Sequence, residues 1–159
     1  MPTPDDLHPG LVRLIEQARR TGNYEPVTDA IPYAKFMGIH VTSEGGHALT
    51  CMRYAAHLIG NPMLPALHGG TLGALLEHAA IFELLSEPEV VRIPKTINLT
   101  VEYLRSGRPR DTFARADITK HGRRVANVLI RAWQEDPGRP IAAGHAHFLL
   151  RAPPTEPAE

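Results

Sequence analysis

HGGTLGALLEHAAIFELLSEP, residues 68–88, is the stretch that decides the fold. From Gly69 to about Leu85 it is apolar on nearly every side, and Pro88 lies just beyond its end, which predicts one central helix. Glu77, His78 and Glu83 interrupt the run. It is too short and too polar to cross a bilayer. A helix that is apolar all round must be covered on most sides, so the rest of the chain has to wrap it.

The flanking segments supply that cover. Downstream, strands are expected at about 95–105, 111–120, 123–135 and 141–150. Turns rich in Gly, Pro and Arg separate them (Ser106–Arg110, His121–Arg123, Asp136–Pro140), and the last three read as an antiparallel meander. Upstream, residues 60–67 (GNPMLPAL) read as a loop, because two prolines interrupt any regular element. Strands are expected at 39–43 and 47–55, joined at Ser43-Glu44-Gly45-Gly46, a hairpin signal. A helical turn is expected at Pro32–Phe36, ahead of Gly38. Residues 5–21 predict another helix. Asp5 or Asp6 caps it, Leu7, Leu11, Leu14, Ile15 and Ala18 form its stripe, Arg19 and Arg20 sit near its end, and Gly22 stops it. The pattern is α+β: one antiparallel sheet of about five to six strands around a long central helix, with an extra N-terminal helix. The expected division is a helical extension at 1–37, the sheet-and-helix domain at 38–150 and a disordered tail at 151–159.

Bulk properties bound the function. A chain of 159 residues suits one domain. Apolar residues make up 43% and charged residues 21%, a globular composition. Seventeen basic and seventeen acidic side chains cancel, which argues against a sequence-independent grip on nucleic acid or on an anionic membrane. Near-zero charge gives little repulsion between copies and favours self-association. Cys51 is the one cysteine, so neither an internal disulfide nor a Cys-based metal site is expected, and a reducing, cytoplasmic compartment fits. The acidic start of the chain lacks the apolar core of a signal peptide.

Two features of the central helix carry chemistry. Glu77 has Gly73, Ala74, Ala80, Ile81 and Leu84 as its helical neighbours, a small and apolar stripe. A carboxylate there must be paired, protonated or put to use, so it is either a structural acid or a candidate general base. At the helix start, Gly69 and Gly70 let a ligand carbonyl approach unpaired N–H groups at the positive end of the helix dipole. Those groups can hold the oxygen of a tetrahedral intermediate, or the glycines can simply make a tight turn. His68 either orients the loop and a bound carbonyl or acts as a cap. Gly70 and Glu77 are about 10 Å apart along a helix, too far to serve one carbonyl. Two antiparallel copies across a twofold axis would bring Gly70 of one to Glu77 of the other, so catalysis by these residues predicts a homodimer.

HGGTLGALLEHAA resembles the signature of hotdog-fold acyl-CoA thioesterases of the phenylacetate-pathway type, a His-Gly-Gly start with a carboxylate nine residues after the His. KTINLTVEYLRSG resembles that family's next strand, with Thr96 on its hydroxyl position, and KHGRRVA resembles its Gly-plus-basic hairpin. The likeness spans roughly residues 36–150. It implies a hotdog fold, a homodimer with sites at the interface that often pairs into a tetramer, and hydrolysis of acyl-CoA to free acid and coenzyme A. No metal or separate cofactor is implied, since coenzyme A is part of the substrate and thioesters are already reactive acyl donors. Glu77 is then the general base, or else the nucleophile. The Gly70 N–H, with Gly69, forms the oxyanion hole, and Thr96 assists the water. His68 and Asn61 orient the thioester, although the family pattern places Asn or Gln at the position Pro62 holds here. The resemblance also puts cations near the coenzyme A phosphates. Lys120, Gly122, Arg123 and Arg124 are the candidates, and Arg105, Arg108 and Arg110 form a second basic turn; solvated turns are the plainer reading of both. His78 beside Glu77 lies outside the motif and reads as packing. His145 and His147 share a strand face without an evident carboxylate, a poor metal site. Two rivals stand beside hydrolysis: a non-catalytic acyl-CoA-binding module and a hotdog dehydratase or hydratase.

Overall fold

The computed structural model describes residues 9–90 and 92–150. The expected cap at Asp5 or Asp6, the stripe position Leu7 and the tail at 151–159 lie outside the described residues. Helix α1 (Pro9–Thr21) ends as its sequence predicts. Gly22 takes φ +73° and its N–H bonds Ala18 O at 2.7 Å. A six-residue helix α2 (Glu25–Ala30) follows, which periodicity could not show because it spans less than two turns. Its local signals are Asn23, whose Oδ1 accepts the Glu25 N–H at 3.0 Å, and Pro26 in the first turn. Helix α3 (Pro32–Phe36) lies where expected.

Strands β1 (Ile39–Glu44) and β2 (His47–Met52) make a hairpin with Gly45 and Gly46 both at positive φ, as a two-residue turn of this hand demands. Strand β2 stops at Met52, short of the expected 55. The Arg53 and Tyr54 N–H groups turn to Gly38 O and Asp111 Oδ1 instead of a sheet neighbour. The proline-bearing 60–67 segment is more regular than expected. After a single 3-10 turn at Ala56–Leu58, β3 (Ile59–Asn61) and β4 (Ala66–Leu67) pair as a small ribbon that leads into the long helix α4 (Gly69–Ser86). The prolines sit in its turn, where they interrupt no ladder.

Strands β5 (Lys95–Tyr103), β6 (Thr112–His121), β7 (Val125–Trp133) and β8 (Ala142–Leu149) complete a six-stranded antiparallel sheet in the order β1-β2-β6-β7-β8-β5. The expected β6-β7-β8 meander is present, and the strand after the helix becomes a sheet edge. The face that receives α4 is rich in small residues. Ala114, Ala116, Ala126, Ala132, Ala142 and Ala146 are all buried and let the helix sit close. In exchange α4 buries Leu75, Leu76, Phe82, Leu84 and Leu85, each contributing roughly 1.5–3 kcal/mol of transfer free energy. Helices α1–α3 cover the C-terminal half of α4. Tyr24 packs edge-on against Phe82, and the Arg19 guanidinium donates to Leu85 O in the last turn of α4 and to Val90 O just beyond it. One stripe of α4 stays partly open: Gly70, Gly73, Ala74, Glu77 and Ile81.

Candidate active site

The start of α4 is a tightly seated turn. His68 caps it, its Nδ1 accepting the Gly70 N–H at 2.9 Å and its carbonyl accepting from Thr71 Oγ1 at 2.7 Å. With Nδ1 as the acceptor, the neutral ring carries its proton on Nε2, a donor. Gly60 makes room for this residue, since a Cβ there would lie 2.7 Å from His68 Cα. The two glycines are therefore not equivalent. The N–H of Gly70, expected as the leading oxyanion donor, is already engaged by His68. The N–H of Gly69 has no acceptor among the described residues. Gly69 is fixed from the other side by Tyr103, whose hydroxyl donates to Gly69 O at 2.9 Å and whose ring would touch a Cβ at 3.1 Å.

Two turns along the helix, Glu77 is half-buried, and Thr96 Oγ1 donates to its Oε1 at 2.6 Å. A bulge in β5 makes this contact. Thr96 pairs with Phe148, which faces the core, while Asn98, two residues on, pairs with His147 on the outer face. A regular strand would point both side chains the same way. The register shift at residue 97 turns Thr96 inward to the helix and leaves Asn98 Oδ1 on His147 Nδ1 at 2.7 Å.

The deeply buried acid of α4 is Glu83, not Glu77. Glu83 is 3% exposed, with Oε2 accepting the Ala48 N–H at 2.8 Å and Oε1 on His47 Nδ1 at 2.7 Å. The hydrogen bond and charge of Glu83 raise the His47 pKa above its ordinary value. Glu83 thus ties the β1–β2 hairpin to the helix, a structural task. Burial pushes the Cys51 thiol up to about 11, which leaves it a poor nucleophile. His78 is buried with Nδ1 on Ala74 O at 2.7 Å and fills core space beside Tyr33.

Other candidates are dispersed. Asn61 Oδ1 accepts the Met63 and Leu64 N–H groups at 3.0 and 3.3 Å, shaping the turn of the ribbon. The basic hairpin is at the Thr96 end of the sheet, on the register row Thr96–Phe148–Ala126–His121, three strand spacings or roughly 15 Å from Thr96. Lys120, Arg123 and Arg124 are exposed there, and Gly122 is required because a Cβ would meet Val125 O at 2.8 Å. Among the described residues no group of three His, Cys, Asp or Glu could hold a metal ion, and no helix is long and apolar enough to cross a membrane.

This arrangement has known counterparts. Residues 64–141 match the model of the thioesterase superfamily. A protein of Chromobacterium violaceum with a solved structure is 38% identical, over 87% of this chain and 97% of that one, with a TM-score of 0.71. The chain belongs to the thioesterase superfamily. It is a thioester hydrolase with the hotdog fold. The same architecture recurs at low identity. The PaaI protein of the E. coli phenylacetic acid degradation operon is 19% identical, over 90% of this chain and 97% of that one, at a TM-score of 0.70. Thioesterase superfamily member 2 of Mus musculus is 17% identical over 83% of this chain and 98% of that one, at 0.69. No curated protein matches this thioesterase by sequence.

Proposed function

We propose that this thioesterase hydrolyses acyl-CoA to the free acid and coenzyme A, at two equivalent sites formed where two copies of α4 meet antiparallel. The observation that carries the reading is the Thr96–Glu77 hydrogen bond, which holds a carboxylate on the open stripe of an otherwise buried helix. One carboxylate oxygen is fixed by Thr96 and the other is left to take a proton from water. Water attacks the thioester carbonyl carbon, Glu77 accepts its proton, and the oxyanion is held by the free Gly69 N–H at the positive end of a helix dipole. Collapse expels the thiolate, which takes the proton held by Glu77 and leaves as the thiol, restoring the carboxylate.

Within one chain Gly69 and Glu77 are eight residues or about 12 Å apart along the helix, so one copy does not complete the site. The surface around it suits a second copy. β5 is an unpaired sheet edge, and Ile97, Tyr103 and Leu104 on or just past it are 55%, 57% and 47% exposed. In this reading His68 Nε2–H and the Asn61 amide orient the bound thioester from the Gly69 side. Lys120, Arg123 and Arg124, with Gly122 between them, face the coenzyme from the Glu77 side.

The test is a thiol-trapping assay over a panel of acyl-CoA thioesters. Glu77→Gln should abolish thiol release, and release at the wild-type rate would sink the reading. Gly69→Pro removes the other proposed group, and because the Cβ it adds lies 3.1 Å from the Tyr103 ring, which must give by a few tenths of an ångström, a thermal melt accompanies it. Proline is tolerated at the first helical position, and His68 already has the extended ψ of 132° that a following proline requires. Mixing the two inactive variants should restore about a quarter of wild-type activity, since half the dimers would be mixed and each would carry one intact site.

A further inference from the structure

Tyr103 is the last residue of β5 and pairs with Ala142. The register shift at residue 97 puts it on the same face as Leu99 and Val101, the face turned to the core. There its side chain leaves the sheet and meets the first turn of α4. The hydroxyl donates to Gly69 O at 2.9 Å, and the ring would lie 3.1 Å from a Cβ at residue 69. A Cβ at residue 73 would come within 3.9 Å of the same hydroxyl. Gly69 therefore makes room for Tyr103 as well as for a ligand. The tyrosine stays exposed, so core packing does not dictate this contact.

The Gly69 carbonyl and the Gly70 N–H belong to one peptide group, and that N–H donates to His68 Nδ1 at 2.9 Å. Chemistry fixes the direction of every link. A carbonyl oxygen only accepts and an amide N–H only donates. Tyr103 O–H thus gives to Gly69 O, Gly70 N–H gives to Nδ1, and the neutral imidazole is left with its proton on Nε2. Hydrogen bonds in series polarise one another, each strengthening the next by roughly 10–30%. The rest of His68 is fixed independently. Its N–H donates to Leu58 O at 2.9 Å, and its carbonyl accepts from Thr71 N and Oγ1 at 2.9 and 2.7 Å. Gly60 leaves only the room the ring needs, since a Cβ there would lie 2.8 Å from Cδ2. What those contacts leave open is the tautomer, which the bond to Nδ1 sets. The Nε2 donor has no partner among the described residues.

We propose that Tyr103 is a positioning residue that acts on the thioester through the Gly69–Gly70 peptide and His68, holding the imidazole as an Nε2–H donor. This rests on the reading above, in which His68 orients the thioester. Tyr103→Phe removes the hydroxyl and keeps the ring, and with it the apolar surface of the β5 edge. In NMR spectra of the free protein the Gly70 amide proton of Y103F should move upfield, because its N–H is less polarised. A Gly70 resonance that stays in place would overturn the proposal. In thiol release Y103F should lower kcat about three- to tenfold, the rate equivalent of one neutral hydrogen bond, with KM changed less than twofold. An unchanged kcat would overturn the proposal. So would a loss confined to KM, because the hydroxyl would then be touching substrate. His68→Asn keeps an acceptor for the Gly70 N–H at the helix cap but has no Nε2–H. On the residual rate of that variant, adding Y103F should cost less than twofold. Losses that multiply would mean that Tyr103 acts elsewhere and would overturn the proposal too. A thermal melt accompanies each variant, and a rate loss that tracks unfolding at the assay temperature is a packing effect and counts against the positioning role. If the wild type releases no thiol from any acyl-CoA, the acyl-CoA reading fails while the Gly70 resonance still decides the hydrogen-bond chain.

Discussion

Replacing Thr96 by valine removes one hydroxyl and keeps the shape of the side chain. In the folded protein that hydroxyl donates to Glu77 Oε1 at 2.6 Å, a short bond to a carboxylate. Hydrogen bonds to charged groups are worth about 1.5–3 kcal/mol, and ordering a glutamate side chain costs up to about 2 kcal/mol of rotamer entropy. Glu77 is only half-buried, so without Thr96 its carboxylate can rotate toward solvent and solvate there. Global stability should therefore change little, and the loss should fall on catalysis. If the bond holds Glu77 for proton transfer, kcat of the T96V variant should drop by about 10- to 150-fold, the rate equivalent of that energy. KM should move less than threefold, since the hydroxyl is committed to Glu77 rather than to substrate. Steady-state thiol release, with a thermal melt alongside, separates the two quantities. T96S, which restores the hydroxyl, should recover most of the rate. A T96V kcat within twofold of wild type would show that Glu77 needs no such support and would remove the argument built on the β5 bulge.

Three further outcomes follow from the structure. Glu83→Leu leaves the buried Ala48 N–H without its acceptor and should cost about 1–3 kcal/mol in urea unfolding; no loss would mean that the β1–β2 hairpin finds another partner. His47, whose pKa in the folded state is raised by Glu83, adds stability that is fully present below its unfolded pKa of about 6.5 and is lost as pH rises through the folded value. The stability gap between wild type and His47→Ala should therefore shrink from pH 5.5 to pH 8.5, and a gap that is constant or grows contradicts the pairing. Gly60→Ala places a methyl group 2.7 Å from His68 Cα, so the capping turn must shift; kcat should fall at least tenfold with the fold retained, and an unaffected rate would show that the turn is not held rigidly.

Much of this thioesterase is legible in its sequence because the deciding signals are local. A long run apolar on all sides forces a central helix and a wrapping sheet. The glycine pair at its start and a carboxylate two turns later mark where chemistry can occur. Turn chemistry places the hairpins, and even the short α2 leaves a trace in Asn23 and Pro26. Thr96 is marked by the family resemblance and not by strand alternation, which sets it on the same face as Asn98.

What the tertiary structure alone decided depends on contacts between distant segments. Periodicity cannot show a one-residue register shift in β5, so it could not turn Thr96 toward Glu77. Two acids on one apolar helix look alike in sequence. Only the hairpin that arrives from residues 47 and 48 makes Glu83 the buried structural acid and leaves Glu77 on the open stripe. The choice between Gly69 and Gly70 turned on where the His68 ring nitrogen points, and the room for that ring comes from Gly60 on another strand.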